Sequence, residues 1–218
     1  MWLLRPPGVY RPQGDTWLLA RALRDAGVPP GGAVLDIGCG TGALSIAAAR
    51  TSPRSMTAFD LSRRAVAAAR FNTAVRGLNV RVRRGDALEE AAGEQFDLVL
   101  ANPPYVPGVA DLPSRGPRRA WDAGSDGRAM LDRICAMAPI LLAPGGVLLT
   151  VHSALCDVDR TLAQLRGGGL KASVVARADE PFGPVMRDRV DKLRELGLID
   201  PDQRVEELVV VRGDRLAS

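Results

Sequence analysis

Strand-like runs and helix-like stretches alternate along the whole chain, and that alternation restricts the fold more than any other feature. Ala33–Ile37, Met56–Phe59, Asn79–Arg83, Phe96–Ala101, Val147–His152, Leu170–Arg177 and Glu207–Val211 read as strands. Between them lie helical stretches. Asp15–Leu23 has Asp15 as its N-cap, Thr41–Arg50 is rich in small residues, and a third runs from a Ser62 cap to about Val75. Gly127–Leu142 is bent by Pro139, Asp157–Arg166 follows, and a last helix is expected from about Val185 to Leu196. Strands that alternate with helices predict an α/β fold with a seven-stranded, mostly parallel sheet.

The 218 residues suit one domain, with an opening segment and helix over 1–30 and an insertion between the last two strands at 181–204. An apolar share of 46% beside 25% charge belongs to the globular class. No apolar run approaches the ~20 residues of a membrane helix. Met1–Leu4 meets Arg5-Pro6 at once, too short for a secretion signal, so a cytoplasmic protein with no membrane partner is expected. Cys39, Cys135 and Cys156 are widely spaced and the lone histidine is His152. That pattern predicts buried free thiols and no metal site. The net charge of +4 is carried almost wholly by arginine, with Lys171 and Lys192 the two lysines. Arg76, Arg81, Arg83 and Arg84 form a stretch without an acid. Such a balance fits a nucleic-acid neighbourhood or a GC-rich genome equally.

The run Phe96–Ala101 ends on Asn102-Pro103-Pro104-Tyr105. Two consecutive prolines remove two backbone donors, fix two φ angles and push the preceding residue out of the helical region. The product is a stiff corner at the carboxyl end of a strand, where open α/β sheets bind ligands. Its amide side chain and backbone carbonyls can accept protons from a flat NH2 group, and Tyr105 can cover the group's face. The alternative is a proline-terminated strand with a core tyrosine.

Val34-Leu35-Asp36-Ile37-Gly38-Cys39-Gly40-Thr41-Gly42-Ala43 joins a strand to a helix through glycines. Such a loop lets a ligand approach the backbone closely. Gly38-x-Gly40-x-x-Ala43 also fits a dinucleotide fingerprint. Asp36, however, would repel a pyrophosphate and attract an ammonium or sulfonium. Asp60 ends the second strand, placed for ribose hydroxyls, and Asp86 ends the third, placed for an adenine amino group. Three strand-end carboxylates favour a neutral or cationic nucleoside over a dinucleotide. The alternative for any one of them, taken singly, is a helix N-cap or a turn former.

With these residues in place, the chain resembles the class I S-adenosylmethionine-dependent methyltransferases, and among them the amino methyltransferases. It is most similar to the HemK-like enzymes that methylate the glutamine of the Gly-Gly-Gln tip in peptide-chain release factors, in the short form without an N-terminal helical domain. Val9-Tyr10-x-Pro12-x-x-Asp15-Thr16 matches that form's opening, with Gly14 where an acid is usual. Ala120-Trp121-x-x-Gly124-x-x-Gly127-Arg128 matches the segment after the tetrapeptide. The resemblance covers residues 9 to about 180, and 181–204 departs from it.

The resemblance implies a Rossmann-like fold with helices on both faces and S-adenosyl-L-methionine as cofactor. It implies Thr16, Asp36, Gly38, Cys39, Gly40, Gly42, Asp60, Leu61, Asp86, Ala87 and Asn102 around that cofactor. Asn102, Pro103, Pro104 and Tyr105 would hold the substrate amide. It implies a release factor as protein substrate and a small zinc-binding activator as a possible partner subunit. Three rival readings are a methyltransferase for an exocyclic amine of rRNA, tRNA or DNA, an NAD-binding oxidoreductase, and a binding subunit without chemistry. Direct in-line transfer to an amide needs no base beforehand, so His152 reads as structural. Arg115, Arg118, Arg119 and Trp121 either meet the substrate or serve as loop surface and hydrophobic cover.

Overall fold

The computed structural model describes residues 1–107, 123–124 and 126–217. Arg115, Arg118, Arg119, Ala120 and Trp121 lie outside the described residues. Seven strands form one sheet: β1 (Ala33–Ile37), β2 (Ser55–Asp60), β3 (Arg81–Arg84), β4 (Phe96–Ala101), β5 (Leu142–Ser153), β6 (Lys171–Pro181) and β7 (Val205–Asp214). Their order is β3-β2-β1-β4-β5-β7-β6. β1 to β5 run parallel, and β7 lies antiparallel between β5 and β6. All five residues of β1 are buried, as a central strand covered on both faces requires.

The helices are α1 (Gly14–Asp25), α2 (Ala43–Ala48), α3 (Arg63–Ala74), α4 (Ala87–Glu90), α5 (Ala129–Leu141), α6 (Val158–Gly167), α7 (Pro184–Arg187) and α8 (Val190–Glu195). α3 follows directly from its sequence. Ser62 Oγ accepts the Ala65 N–H, and Ala65, Val66, Ala68, Ala69, Asn72 and Thr73 form the buried face at helical spacing. Asn72 exchanges two hydrogen bonds with the backbone of Leu4, at 2.8 and 2.9 Å, which ties the opening segment to α3. Gly42 has φ +80°, and a Cβ there would stand 3.2 Å from Ala69 Cα. A glycine at this position therefore permits the close approach of α2 to α3.

Three expectations are corrected. α1 begins at Gly14 with Gln13 in the cap position, so Asp15 lies inside the first turn and is not the N-cap residue. The helix expected over Val185–Leu196 is two short helices, because Asp188 and Arg189 interrupt it. The helix expected over Thr41–Arg50 is confined to Ala43–Ala48 plus one 3₁₀ turn, because Gly40 and Gly42 hold the preceding turn at positive φ. β5, β6 and β7 also run several residues longer than their apolar runs suggest. The antiparallel ladder continues through charged positions such as Asp179, Glu180 and Glu206.

Candidate active site

The strand order reverses between β1 and β4, and open α/β sheets bind ligands at the carboxyl end of such a switch point. The register pairs Ile37 with both Phe59 and Ala101. Gly38, Asp60 and Asn102, each one residue further on, therefore leave the sheet side by side. Asp36, Gly38, Asp60 and Asn102 are thus brought to one edge.

The corner is built on Asp15, which is 3% exposed. Its Oδ2 accepts hydrogen bonds from the hydroxyls of Tyr10 (2.8 Å) and Tyr105 (3.4 Å) and from Asn102 Nδ2 (3.0 Å). Its Oδ1 accepts the Thr16 N–H (2.5 Å) and the Thr16 hydroxyl (3.1 Å). Asn102 Nδ2 also donates to Thr16 Oγ1 at 3.2 Å. Two acceptors facing one amide nitrogen fix the side-chain orientation. Both Asn102 N–H groups are used, and its Oδ1 is turned to the other side. Gln13 Nε2 donates to the Tyr10 hydroxyl at 3.0 Å and braces the network from behind. Burial first, then the Asp15 charge, pushes both phenols well above their ordinary range, so both remain donors.

The chain leaving the corner is held equally closely. The Cys156 thiol donates to the Tyr105 carbonyl at 2.8 Å. Gly127 has φ +75°, and a Cβ on it would stand 2.3 Å from that same carbonyl oxygen. Beside it Arg128, 2% exposed, donates to the carbonyls of Cys156 and Asp157, to Thr161 Oγ1 and to Gln164 Oε1, and pairs with Asp132 at 2.7 Å. Gly127 and Arg128 therefore buttress the corner from beneath.

Asp36 is fully buried. Its Oδ2 accepts the Ser45 hydroxyl at 2.5 Å and its Oδ1 has no partner. Burial, opposed by the Ser45 hydrogen bond, pushes its carboxyl up to about 6. The Thr41 hydroxyl nearby is also buried without a partner. Gly38 and Gly40 have positive φ, and nothing lies within 4 Å of where a Cβ would project. Asp60 accepts the N–H groups of Gly40 (2.9 Å) and Ser62 (2.8 Å), which orients the loop, and burial raises its pKa. An orphaned buried carboxylate oxygen beside a glycine cradle fits a cationic nucleoside such as S-adenosylmethionine.

The remaining expected residues are less concentrated. Cys39 is buried, and Leu61 is exposed with its carbonyl held by Arg84 Nε. Asp86 caps α4 through the Leu88 N–H and pairs with Arg133 at 2.8 Å, so both its oxygens are engaged, while Ala87 is buried behind it. His152 lies fully buried with Nδ1 2.8 Å from the Ser153 carbonyl, and burial lowers its pKa to about 4.

Sequence reasoning placed Asn102 but missed its holder, Asp15. The available signal was an acid before Thr16 together with two tyrosines that need buried partners. Glu206 was missed as well. It is 5% exposed, its Oε2 has no partner, and its hydrogen bond is to Ser153. Burial and the nearby Asp15 and Glu180 push its carboxyl up to about 7.

Strand order, glycine loop and strand-end acids define a Rossmann-like class I methyltransferase. The same fold is found in the E. cuniculi Mtq2–Trm112 complex described as responsible for methylation of the eRF1 termination factor. Its TM-score is 0.66 at 22% identity, over 95% of this chain and 99% of that one. A T. thermophilus 16S rRNA N2 G1207 methyltransferase, solved with AdoMet and guanosine, shares the fold at TM-score 0.63 and 19% identity, over 97% of this chain and 46% of that one.

The chain belongs to the methyltransferase small domain family, whose model matches residues 2–115. It is 35% identical over 181 residues to a Methanocaldococcus jannaschii protein named "putative protein N5-glutamine methyltransferase", covering 83% of this chain and 90% of that protein. Release factor glutamine methyltransferases of Geobacter sulfurreducens (38% identity) and Deinococcus radiodurans (36%) match 66% and 76% of this chain. The alignments span 52% and 61% of those two bacterial relatives.

Proposed function

We propose that this chain is a cytoplasmic S-adenosylmethionine-dependent enzyme that methylates the side-chain amide nitrogen of a protein glutamine. The proposed target is the Gly-Gly-Gln motif of a peptide-chain release factor. The relatives' names support the substrate class. The observation that carries the chemistry is the orientation of Asn102. Asp15 and Thr16 occupy its NH2 group, which leaves Oδ1 to accept a substrate N–H. No helix among the described residues is long and apolar enough to cross a membrane.

Asp36, Gly38, Gly40, Thr41 and Asp60 would hold the cofactor, with Thr16, Cys39, Gly42, Leu61, Asp86, Ala87 and Asn102 around it. When bound, S-adenosylmethionine supplies a methyl group on a cationic sulfur. The protein has to position and polarise a weak nucleophile, since an amide lone pair is delocalised into its carbonyl. Asn102 Oδ1 and the Pro103 carbonyl would each accept one amide N–H. Those bonds strengthen as the nitrogen becomes positive, which lowers the barrier specifically. Pro104 keeps the corner stiff, and Tyr105, anchored on Asp15, sets its ring beside the amide plane. After transfer the nitrogen sheds one proton to water. A small partner subunit is proposed as well, because the E. cuniculi fold neighbour is in complex with Trm112.

Methyl-labelled cofactor incubated with purified release factor, and in parallel with total RNA, tests the proposal. Label is expected in the factor, with Asn102→Ala lowering transfer by about 100-fold or more while cofactor affinity changes little. Label in RNA alone would reassign the substrate to an exocyclic base amine. Persistent turnover by Asn102→Ala would refute the role of the amide.

A further inference from the structure

We propose that Arg189, in the segment between β6 and β7, is a positioning residue that holds the chain leaving the Asn102–Tyr105 corner. Residues 102–107 contain Pro103, Pro104 and Pro107, so half of this stretch has no N–H, and no strand or helix includes it. Its carbonyls therefore need donors from elsewhere. The Cys156 thiol takes the Tyr105 carbonyl. Arg189 takes the next two, donating to Val106 O at 2.7 Å and to Pro107 O at 2.9 Å through one guanidinium nitrogen.

The segment that carries Arg189 is itself anchored. Phe182, Met186, Leu193 and Ile199, each at most 5% exposed, form a separate small core, and Val106 and Leu155 pack against it. Phe182 N–H reaches the Arg204 carbonyl at 2.9 Å, and Arg187 returns to the Phe182 carbonyl at 2.7 Å, closing the segment on itself. Gly183, at its start, lies against the Gln13 side chain, which braces Tyr10 and through it Asp15. The segment thus reaches the corner from two sides, at its exit through Arg189 and at its base through Gln13. A guanidinium on two successive carbonyls fixes the direction of the exit and thereby the aim of the Pro103 carbonyl and of Asn102 Oδ1. A displacement of ~1 Å at a reacting group can cost about 100-fold in rate. Arg189 touches no reacting atom, and its influence passes wholly through the corner.

The kinetic part of this proposal rests on the glutamine-methylation reading, so the test has an arm that does not. Arg189→Met and Arg189→Lys are compared with wild type in kcat and KM on a Gly-Gly-Gln substrate, in affinity for S-adenosylhomocysteine, and in amide hydrogen exchange. For Arg189→Met the expected result is a fall in kcat of about tenfold or more, with S-adenosylhomocysteine affinity within about twofold. Exchange at Tyr105 and Val106 should be faster by about tenfold, with β4 unchanged. Arg189→Lys keeps a charged donor and should recover part of both losses. If Arg189→Met does not fold, Arg189→Lys should show the same pattern in reduced form. Unchanged exchange at Tyr105 and Val106, or kcat within about twofold of wild type, overturns the proposal. Wild type that methylates no glutamine would sink the substrate reading, and the exchange measurement would still decide the clamp.

Discussion

Replacing Glu206 with glutamine should make the protein more stable, and only above a definable pH. Glu206 is 5% exposed on β7, directly opposite Glu180 in the β6–β7 ladder, and near the Asp15 carboxylate. Its carboxyl is pushed from 4.5 up to about 7, first by burial. A folded-state pKa above the unfolded value means the native state binds the proton more tightly. The corresponding stability is fully present below about pH 4.5 and is lost as pH rises through about 7. The difference between 4.5 and 7 amounts to about 3 kcal/mol. Glutamine keeps the shape and the hydrogen-bonding capacity toward Ser153 but carries no proton to lose. Glu206→Gln should therefore match wild type near pH 4.5 and exceed it by up to about 3 kcal/mol by pH 8 to 9. For a chain of this size that is roughly 6–12 °C in Tm. Thermal melts of both proteins from about pH 4.5 to 9 measure the divergence. Acids remote from Glu206 shift both curves alike and cancel in the difference, while Asp15 and Glu180, which repel its charge, are relieved in the variant and add to the gain at high pH. Parallel curves, or a variant less stable at high pH, would show that Glu206 is not held protonated by its surroundings.

Two further predictions address the site. Asp36 has a carboxyl pushed up to about 6 and a buried oxygen without a partner, so a cationic ligand beside it would select its ionised form. S-adenosylhomocysteine keeps the ammonium and S-adenosylmethionine adds the sulfonium. Calorimetry should show the affinity of both falling by up to about tenfold per pH unit below pH 6, and Asp36→Asn should be weak throughout and lack that slope. A pH-independent wild-type affinity would count against this role. Gly127→Ala places a methyl group where 2.3 Å separates it from the Tyr105 carbonyl, at φ +75°. It should cost about 2–4 kcal/mol and most of the activity, measured by denaturant titration and turnover. A fully active, equally stable variant would refute the close packing beneath the corner.

Local signals predicted the architecture well where they were strong. The buried runs of β1 and β4 and the Ser62 cap of α3 are properties of adjacent residues, and each is found where the sequence puts it. Asn102 and Asp36 are legible for the same reason, since a proline pair and a glycine loop mark strand ends. Asp15 was misread because capping is a local rule, while its actual partners include Asn102 and Tyr105, nearly ninety positions away. Asp86 shows the reverse case: the local cap is present, and Arg133 takes the other oxygen. The lengths of β5 to β7 and the interruption at Asp188–Arg189 are set by ladder pairing and by the small core around Met186. Neither leaves a periodic signature in the sequence.

The order in which the strands are made differs from the order in which they lie. β7, synthesised last of the seven, inserts between β5 and β6 and is the sole sheet neighbour of β6. A nascent chain that has emerged as far as β6 thus has eleven residues of bare backbone with no slot to enter, and β5 has an open flank. Glu206 arrives on that same late strand, beside the Asp15 hub. The partners that hold the Asn102 corner, from Tyr10 to Arg189, all precede β7, so it is the β5–β6 side of the sheet, and not the corner, that waits for the last strand.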